Sequence, residues 1–585
     1  MERKRNTTQG LMPYRKQDHE KGSYDIYPAF SVGDGLISAG FRSLAERISS
    51  SETVIIDGYA GVFYEDFREH LSRELGNRGI KSNWICMEDL LRPEKEINAL
   101  IHPFMGEPDS IFGTRTTLQL KDFYDLSKAE FRQAPDAGVT IIYGPGASLS
   151  GREGLLLYID LPKNELQFRA RAKSIRNLGA RDTADIKTMY KRFYFVDWVV
   201  LNRHKKAILD RIDVVVDGQQ EEQITWTEGE TLRKALGQMS RNLFRARPWF
   251  EPGVWGGSWI KNQIAGVNPD VKNYAWSFEL ITPENGLVLE SSSLLLEVSF
   301  DFLMYARGED ILGRHREQYG DEFPLRFDFL DTFDGGNLSV QCHPQPDYAR
   351  THFGENITQE ETYYILDRKN DASVYLGFQE DIEPEQFEKA LWNSFNRSEQ
   401  LPVTRYVQQH PAARHDLFLI PPGTIHGSGI DNLVLEISTT PYIFTFKMYD
   451  WVRPDLDGKP RPLNIGHGMK NLRFDLKGEK ARRELLSKPY LLREGPDWQC
   501  WELPTHERHS YRVNRYHFNS EVTIGTDARF NVLMLVEGET VTVTTPGMQQ
   551  DFSYAETFVI PAAAGSYTVR NKSAKEAMIV VAFMK

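Results

Sequence analysis

The chain has only three cysteines in 585 residues, Cys86, Cys342 and Cys500, far apart and odd in number, so no disulfide framework is expected to hold it together. It has no window approaching the roughly 20 apolar residues of a membrane span. No apolar stretch follows the polar start Met1-Glu-Arg-Lys-Arg-Asn6, so a signal peptide is not expected either. A basic excess is missing: 70 Lys and Arg against 82 Asp and Glu leave a net charge of -12, spread along the chain. A nucleic-acid backbone needs a positive face, so nucleic acid is not an expected partner. Long low-complexity segments and internal repeats are absent too. These absences read as a reduced, cytoplasmic protein without membrane contact.

What is present is a chain too long for one core, with 40% hydrophobic and 26% charged residues, the balance of a folded protein. We expect a multidomain protein with boundaries near 1–240, 241–468 and 469–585. The first region reads as α/β. Apolar strands at Thr53-Val-Ile-Ile-Asp57, Val139-Thr-Ile-Ile-Tyr143 and Gly154-Leu-Leu-Leu-Tyr-Ile-Asp160 alternate with helical segments, the signature of βαβ units around a parallel sheet. This pattern resembles the uridine kinase group of P-loop proteins, with the Arg-rich stretch Arg169 to Arg192 resembling their lid. The phosphate-binding loop is missing, however. Counted from Gly58, Phe63 stands where glycine belongs, Tyr64 for lysine and Glu65 for Ser/Thr. A P-loop cradles phosphate with backbone amides and a lysine; a carboxylate there repels it. The expectation is a degenerate P-loop-kinase-like domain without phosphoryl transfer.

From about residue 245 the texture changes to short strands rich in Val, Ile, Leu, Phe and Tyr, broken by Gly, Pro and Asn. That is the texture of an all-β sandwich or barrel. One small helical insertion is expected around Glu383 to Trp392, with Pro near its start, and Met469 to Tyr490 reads as a charged connector. The last hundred residues alternate again but carry no His/Glu cluster, so no metal is expected there.

The chemistry concentrates in the all-β part. In Gln341-Cys-His343-Pro, alternation along a strand points Gln341 and His343 one way and Cys342 the other. Glu361 follows; it is preferred over Glu360 because Tyr363 and Ile365 continue its strand face. His426 closes the set in the turn Pro421-Pro-Gly-Thr-Ile-His426-Gly. An O/N/O/N set of this kind suits zinc or a similar divalent ion.

These motifs, Leu338-Ser-Val-Gln341-Cys-His343-Pro, Gln359-Glu-Glu361-Thr-Tyr-Tyr-Ile-Leu366 and Asp416-Leu-Phe-Leu-Ile-Pro-Pro-Gly-Thr-Ile-His426, resemble the metal-bearing strands of the type I mannose-6-phosphate isomerase family, in the family's order and spacing. Val254-Trp-Gly-Gly257, Ser277-Phe-Glu279, Phe323-Pro-Leu325 and Met448-Tyr-Asp450-Trp451 echo it more weakly. The resemblance implies cupin (jelly-roll) barrels, one bound zinc ion held by Gln341, His343, Glu361 and His426, and a sugar phosphate as small-molecule partner. It implies interconversion of mannose 6-phosphate and fructose 6-phosphate. Two departures stand out. After Glu436 the chain reads Thr439-Thr-Pro441 where relatives carry Asn-Ser-Asp, and Lys447 stands at the expected arginine, keeping the charge but losing the planar fork. Asp328 also stands where many relatives have a strand lysine. Lys447 is expected to neutralise an oxyanion, to bind phosphate or to be a solvated strand lysine; Glu436, to act as acid/base or to orient a ligand. The alternative function is a metal-containing, non-catalytic sugar-phosphate-binding regulatory protein.

Overall fold

The computed structural model of the protein describes residues 4–17, 22–108, 110–128, 138–455, 458 and 461–585; the first three residues of the polar start lie outside this range. The chain forms two compact units. One comprises Met1–Asp18, Tyr27–Met239 and Thr282–Gly308; the other His19–Ile26, Ser240–Ile281 and Glu309–Lys585.

The first unit is built on a seven-stranded sheet. Its order is Ile37–Ala39, Thr225–Glu228, Val214–Asp217, Leu155–Asp160, Thr53–Gly58, Val139–Tyr143, Ser82–Cys86. The last five are parallel. All but the half-buried edge strand Ser82–Cys86 are buried almost throughout, as expected of strands covered on both faces. Helices Phe41–Ile48 and Tyr64–Asn77 bury Phe41, Leu44 and Ile48, and Phe67, Leu71 and Leu75, at helical spacing. From Thr53–Gly58 the chain runs to one side of the sheet, and from Leu155–Asp160 to the other. These neighbouring strands therefore bracket a topological switch point, where open α/β sheets usually bind ligands.

Here one side of the loop after Thr53–Gly58 is occupied by the protein's own side chains, while a cavity of about 370 Å³ lined by Gly61, Phe63, Tyr64, Glu88 and Arg176 lies on the other. Arg169, in the segment read as a lid, is 1% exposed. Its guanidinium lies 4.2 Å from the Phe63 ring centroid and donates to the carbonyls of Gly61 (2.9 Å) and Gly218 (2.9 Å). Gly61 has φ +103°, and a Cβ there would lie 2.6 Å from Leu166. An internal cation and a phenyl ring thus pack against the loop that follows Thr53–Gly58.

Residues 282–308 belong to this first unit. Strands Gly286–Ser291 and Leu294–Ser299 form a sheet with Ala29–Ser31. An ion network, buried except for the partly exposed Asp301, ties the segment to the sheet. Lys205 donates to Asp160 (2.7 Å), Ser299 (2.8 Å) and Asp301 (2.9 Å), and Lys163 to Asp301 (2.8 Å).

The second unit holds two pairs of antiparallel sheets. A six-stranded sheet (Leu417–Ile420, Glu361–Arg368, Asn432–Thr439, Leu325–Asp331, Trp276–Leu280, Trp249–Glu251) packs with a five-stranded one (Val407–Pro411, Ser373–Phe378, His426–Ser428, Val340–Cys342, Phe446–Tyr449). Tyr363, Ile365, Val434 and Phe418 of the first meet Val374 and Leu376 of the second in one core. The helical insertion spans Pro384–Arg397. The charged stretch read as a connector contains helix Gly478–Leu485, whose Ala481 and Leu485 enter that same core. The final strands form a second sandwich of six and four strands around Leu533, Val541, Phe552 and Phe558. Among the described residues, no helix is long and apolar enough to cross a membrane.

Candidate metal centre

The strands bearing the three motifs are buried on every position that matters. Val340–Cys342 is fully buried, and so are Glu361 at the head of its strand and His426 at the head of the next. Gln341 pairs across the five-stranded sheet with His426 on one side and Lys447 on the other. Directly opposed residues share a face, so Gln341, His426 and Lys447 form one row. Glu361 reaches them from the facing sheet. His343 Nε2 lies 2.7 Å and His426 Nε2 3.0 Å from Glu361 Oε2.

The outer nitrogens decide what this cluster accepts. His426 Nδ1 lies 2.9 Å from the Thr424 carbonyl and His343 Nδ1 3.3 Å from the Phe444 carbonyl. Each Nδ1 therefore carries the proton and donates it outward, which turns each Nε2 lone pair inward. Burial pushes the His343 pKa down, although Glu361 pulls the other way. Burial alone would raise Glu361, but the facing imidazoles hold it well below the usual carboxylate range. Two imidazole nitrogens and a carboxylate thus converge on one point, and Glu361 Oε1 has no hydrogen-bond partner. His343, Glu361 and His426 offer ligand atoms that all lie within 4.8 Å of one another. This donor set fits a divalent cation. Gln341 turns its amide nitrogen to His426 Nε2 (3.4 Å), while its oxygen accepts from Ser339 (2.9 Å).

Around the cluster lies a second polar layer. Arg326 and Asp328, from strand Leu325–Asp331, oppose Ser438 and Glu436. Those in turn oppose Glu361 and Tyr363. Glu436 Oε1 accepts from Arg326 (2.6 Å), Ser438 (2.8 Å) and Gln359 (3.1 Å). Burial, then Asp328 and Glu361, pushes the Glu436 pKa well up. Burial likewise raises Asp328, to about 6. Of the predicted residues, Gln341, His343, Glu361, His426 and Glu436 are all buried in this barrel, and Lys447 is partly buried at the end of their row. Sequence reasoning missed Arg326, Gln359 and Ser438. The signal was there in part: Arg326 and Asp328 alternate with Leu325, Phe327 and Phe329, which marks a polar face inside an apolar strand. Tyr348 and His352 lie off the cluster, on helix Pro346–Phe353. With Lys470 and Arg508 they line an open pocket of about 670 Å³.

Comparison with known proteins fits this picture. A family described as a domain of unknown function (DUF8485) matches residues 40–241. Mannose-6-phosphate isomerase ManA of Bacillus subtilis (strain 168) is 27% identical over 223 residues, 37% of this chain, which spans 64% of ManA. The probable mannose-6-phosphate isomerase GmuF of the same organism is 33% identical over 238 residues, 40% of this chain and 68% of GmuF. The crystal structure of the mannose 6-phosphate isomerase from Bacillus subtilis aligns with a TM-score of 0.45 at 19% identity, covering 58% of this chain and 99% of that one. On the extent and identity of the match to GmuF, the chain belongs to the mannose-6-phosphate isomerase family.

Proposed function

We propose that the protein is a metal-dependent aldose–ketose isomerase that interconverts mannose 6-phosphate and fructose 6-phosphate in the cytoplasm, with zinc in a cupin barrel. The observation that carries this reading is the convergence of His343 Nε2, His426 Nε2 and the Glu361 carboxylate on one buried point. His343, Glu361, His426 and the Gln341 amide would hold a zinc ion, which when bound would supply a Lewis acid for a substrate oxygen. The reaction moves one proton between C2 and C1 and needs no oxidant. Glu436, its pKa raised by burial, takes and returns that proton. Lys447, in the row of Gln341 and His426, holds the phosphate.

The first unit's central sheet and switch point, with Phe63, Tyr64 and Glu65 in place of Gly, Lys and Ser/Thr, support reading residues 1–240 as a degenerate P-loop-kinase-like domain that binds no triphosphate. Residues 241–468 are read as the metal-binding cupin domain and 469–585 as a second, metal-free one.

A second reading is a regulatory protein that binds a sugar phosphate without converting it. What favours it is Thr439-Thr-Pro441, which has no carboxylate where the resemblance implies one. Turnover of mannose 6-phosphate by the purified zinc-loaded chain separates the two, with His343→Ala as control. Conversion that disappears in the variant supports the isomerase. A folded, zinc-replete protein that converts nothing, yet melts higher with mannose 6-phosphate, supports the regulatory reading.

A further inference from the structure

Beside the candidate ligands, Arg326 is a buried cation on the six-stranded sheet's inner face whose charge is only partly used. It is 5% exposed. One of its nitrogens, Nη2, donates to Glu436 Oε1 (2.6 Å) and Asp328 Oδ1 (3.2 Å). Nε and Nη1, which carry three of the five guanidinium N–H groups, have no partner. A buried charged donor without a partner is costly, on the order of 1–3 kcal/mol or more. Its place is equally specific. Arg326, Ser438 and Glu361 stand in one cross-strand row, and Asp328, Glu436 and Tyr363 in the next, all on one face. Two strand spacings, about 10 Å between backbones, separate Arg326 from Glu361, well within the combined reach of the two side chains. The groups nearest the cluster on this face are also orphaned: Glu361 Oε1, Tyr363 OH and Gln359 Oε1. Arg326 Nε and Nη1, Glu361 Oε1, Tyr363 OH and Gln359 Oε1 are thus buried polar atoms without a hydrogen-bond partner, although the Tyr442 ring lies 5.5 Å from the Arg326 guanidinium.

We propose that Arg326 is a catalytic residue whose unpaired N–H groups bind the oxygen at C1 or C2 of the sugar as it gains negative charge. This rests on the isomerase reading above. The phosphate is excluded from this spot by charge. A dianion would stand beside the ionised Glu361 and among Glu436 and Asp328, in adjoining rows, with one guanidinium to offset them. A single developing oxyanion matches one guanidinium, and a fixed donor aimed at such an oxygen typically contributes about 10²–10³ in rate. Asp328 and Glu436 then act together by holding Nη2 and leaving the other nitrogens to the substrate. Arg326 and Lys447 divide the work, one at the carbon end of the sugar and one at the phosphate.

The test compares two ligands of the zinc-loaded chain by calorimetry. One is a five-carbon aldonate phosphate, whose carboxylate imitates the charged oxygens at C1 and C2. The other is a hexitol phosphate, neutral at that end. Two variants are used: Arg326→Lys, and the double variant Arg326→Gln/Asp328→Asn, which removes one buried charge of each sign and so guards against unfolding. The expected result is that the double variant binds the aldonate phosphate about 100-fold more weakly and the hexitol phosphate within about threefold of the original. Arg326→Lys is expected to fall between. Equal loss for both ligands would place Arg326 at the phosphate or in the scaffold, and no loss for either would remove it from the site; each outcome overturns the proposal. Turnover of the unmutated chain is measured alongside. Its absence, with the aldonate preference intact, would sink the isomerase reading while leaving Arg326 as the anion-binding group.

Discussion

At the scale of single residues, the candidate centre is organised by which nitrogen of each imidazole faces outward. The Thr424 and Phe444 carbonyls take the Nδ1 protons of His426 and His343, and this fixes the inner Nε2 atoms as lone-pair donors. Glu361 completes the set as an anion. Replacing it by glutamine keeps the shape but puts an N–H donor or a neutral oxygen where a carboxylate met two lone pairs. Glu361→Gln is therefore expected to weaken zinc binding by more than about 100-fold, since even groups that only orient a ligand contribute 10- to 100-fold. Competition against a chromogenic chelator measures this directly, whether or not the protein turns over sugar. Binding within about threefold of the original would show that Glu361 is not a ligand.

At the scale of elements, the segment 282–308 is pinned by charge rather than by apolar packing alone. Lys205 touches both Asp160 and Asp301 at hydrogen-bond distance. Lys205→Met would leave two buried carboxyls to Lys163 alone, and breaking a buried pair this way costs about 3–5 kcal/mol. The expected outcome is a loss of that size in urea unfolding, with Asp160→Asn in the same chain recovering part of it. A second anchor is sensitive to pH. Asp217 faces Glu297 of strand Leu294–Ser299, and burial first, then Glu297, raises its pKa to about 7. The folded chain thus keeps a proton that the unfolded chain releases near the ordinary aspartate value. Its contribution to stability is fully present below about pH 4 and is lost as pH rises through about 7. Between these limits the slope is at most about 1.4 kcal/mol per pH unit. Urea midpoints at about pH 5 and about pH 7.5 should therefore differ less for Asp217→Asn than for the original; an unchanged difference would exclude Asp217 as the source. These anchors also show what sequence reading could and could not reach. The strands Thr53–Gly58, Val139–Tyr143 and Leu155–Asp160 were legible because each is a local apolar run ended by Gly, Pro or Asp. The candidate ligands were nameable because Gln341 and His343 declare their shared face within three residues. Segment 282–308 was not, since partners such as Asp160 and Lys205 lie more than ninety residues away in the chain. Arg326 was missed for the same reason: its role depends on which strands are neighbours, and Ser438 and Glu361 come from two others.

At the scale of the whole molecule, the two compact units differ in what should stabilise them. The four candidate ligand positions all fall in one unit, Ser240–Ile281 and Glu309–Lys585 together with His19–Ile26. A ligand that binds only the folded state adds about 2.7 kcal/mol at a hundredfold excess over its Kd. That stabilisation acts first on the segments it ties together, because local opening is governed by local contacts. Val340–Cys342, Glu361–Arg368 and His426–Ser428 come from three separate parts of the chain and two facing sheets, and a cation is the one group that would bind all three at a single point. Removing zinc with a chelator should accordingly speed amide hydrogen exchange in these three strands by at least about tenfold, which corresponds to about 1.4 kcal/mol. Val139–Tyr143, in the other unit, should change by less than about twofold under the same treatment. Uniform acceleration along the chain would mean that the metal stabilises global folding without a defined seat. No acceleration in the strand Glu361–Arg368 would mean that the carboxylate facing His343 and His426 is held by the protein alone, and the metal-dependent reading would fall with it.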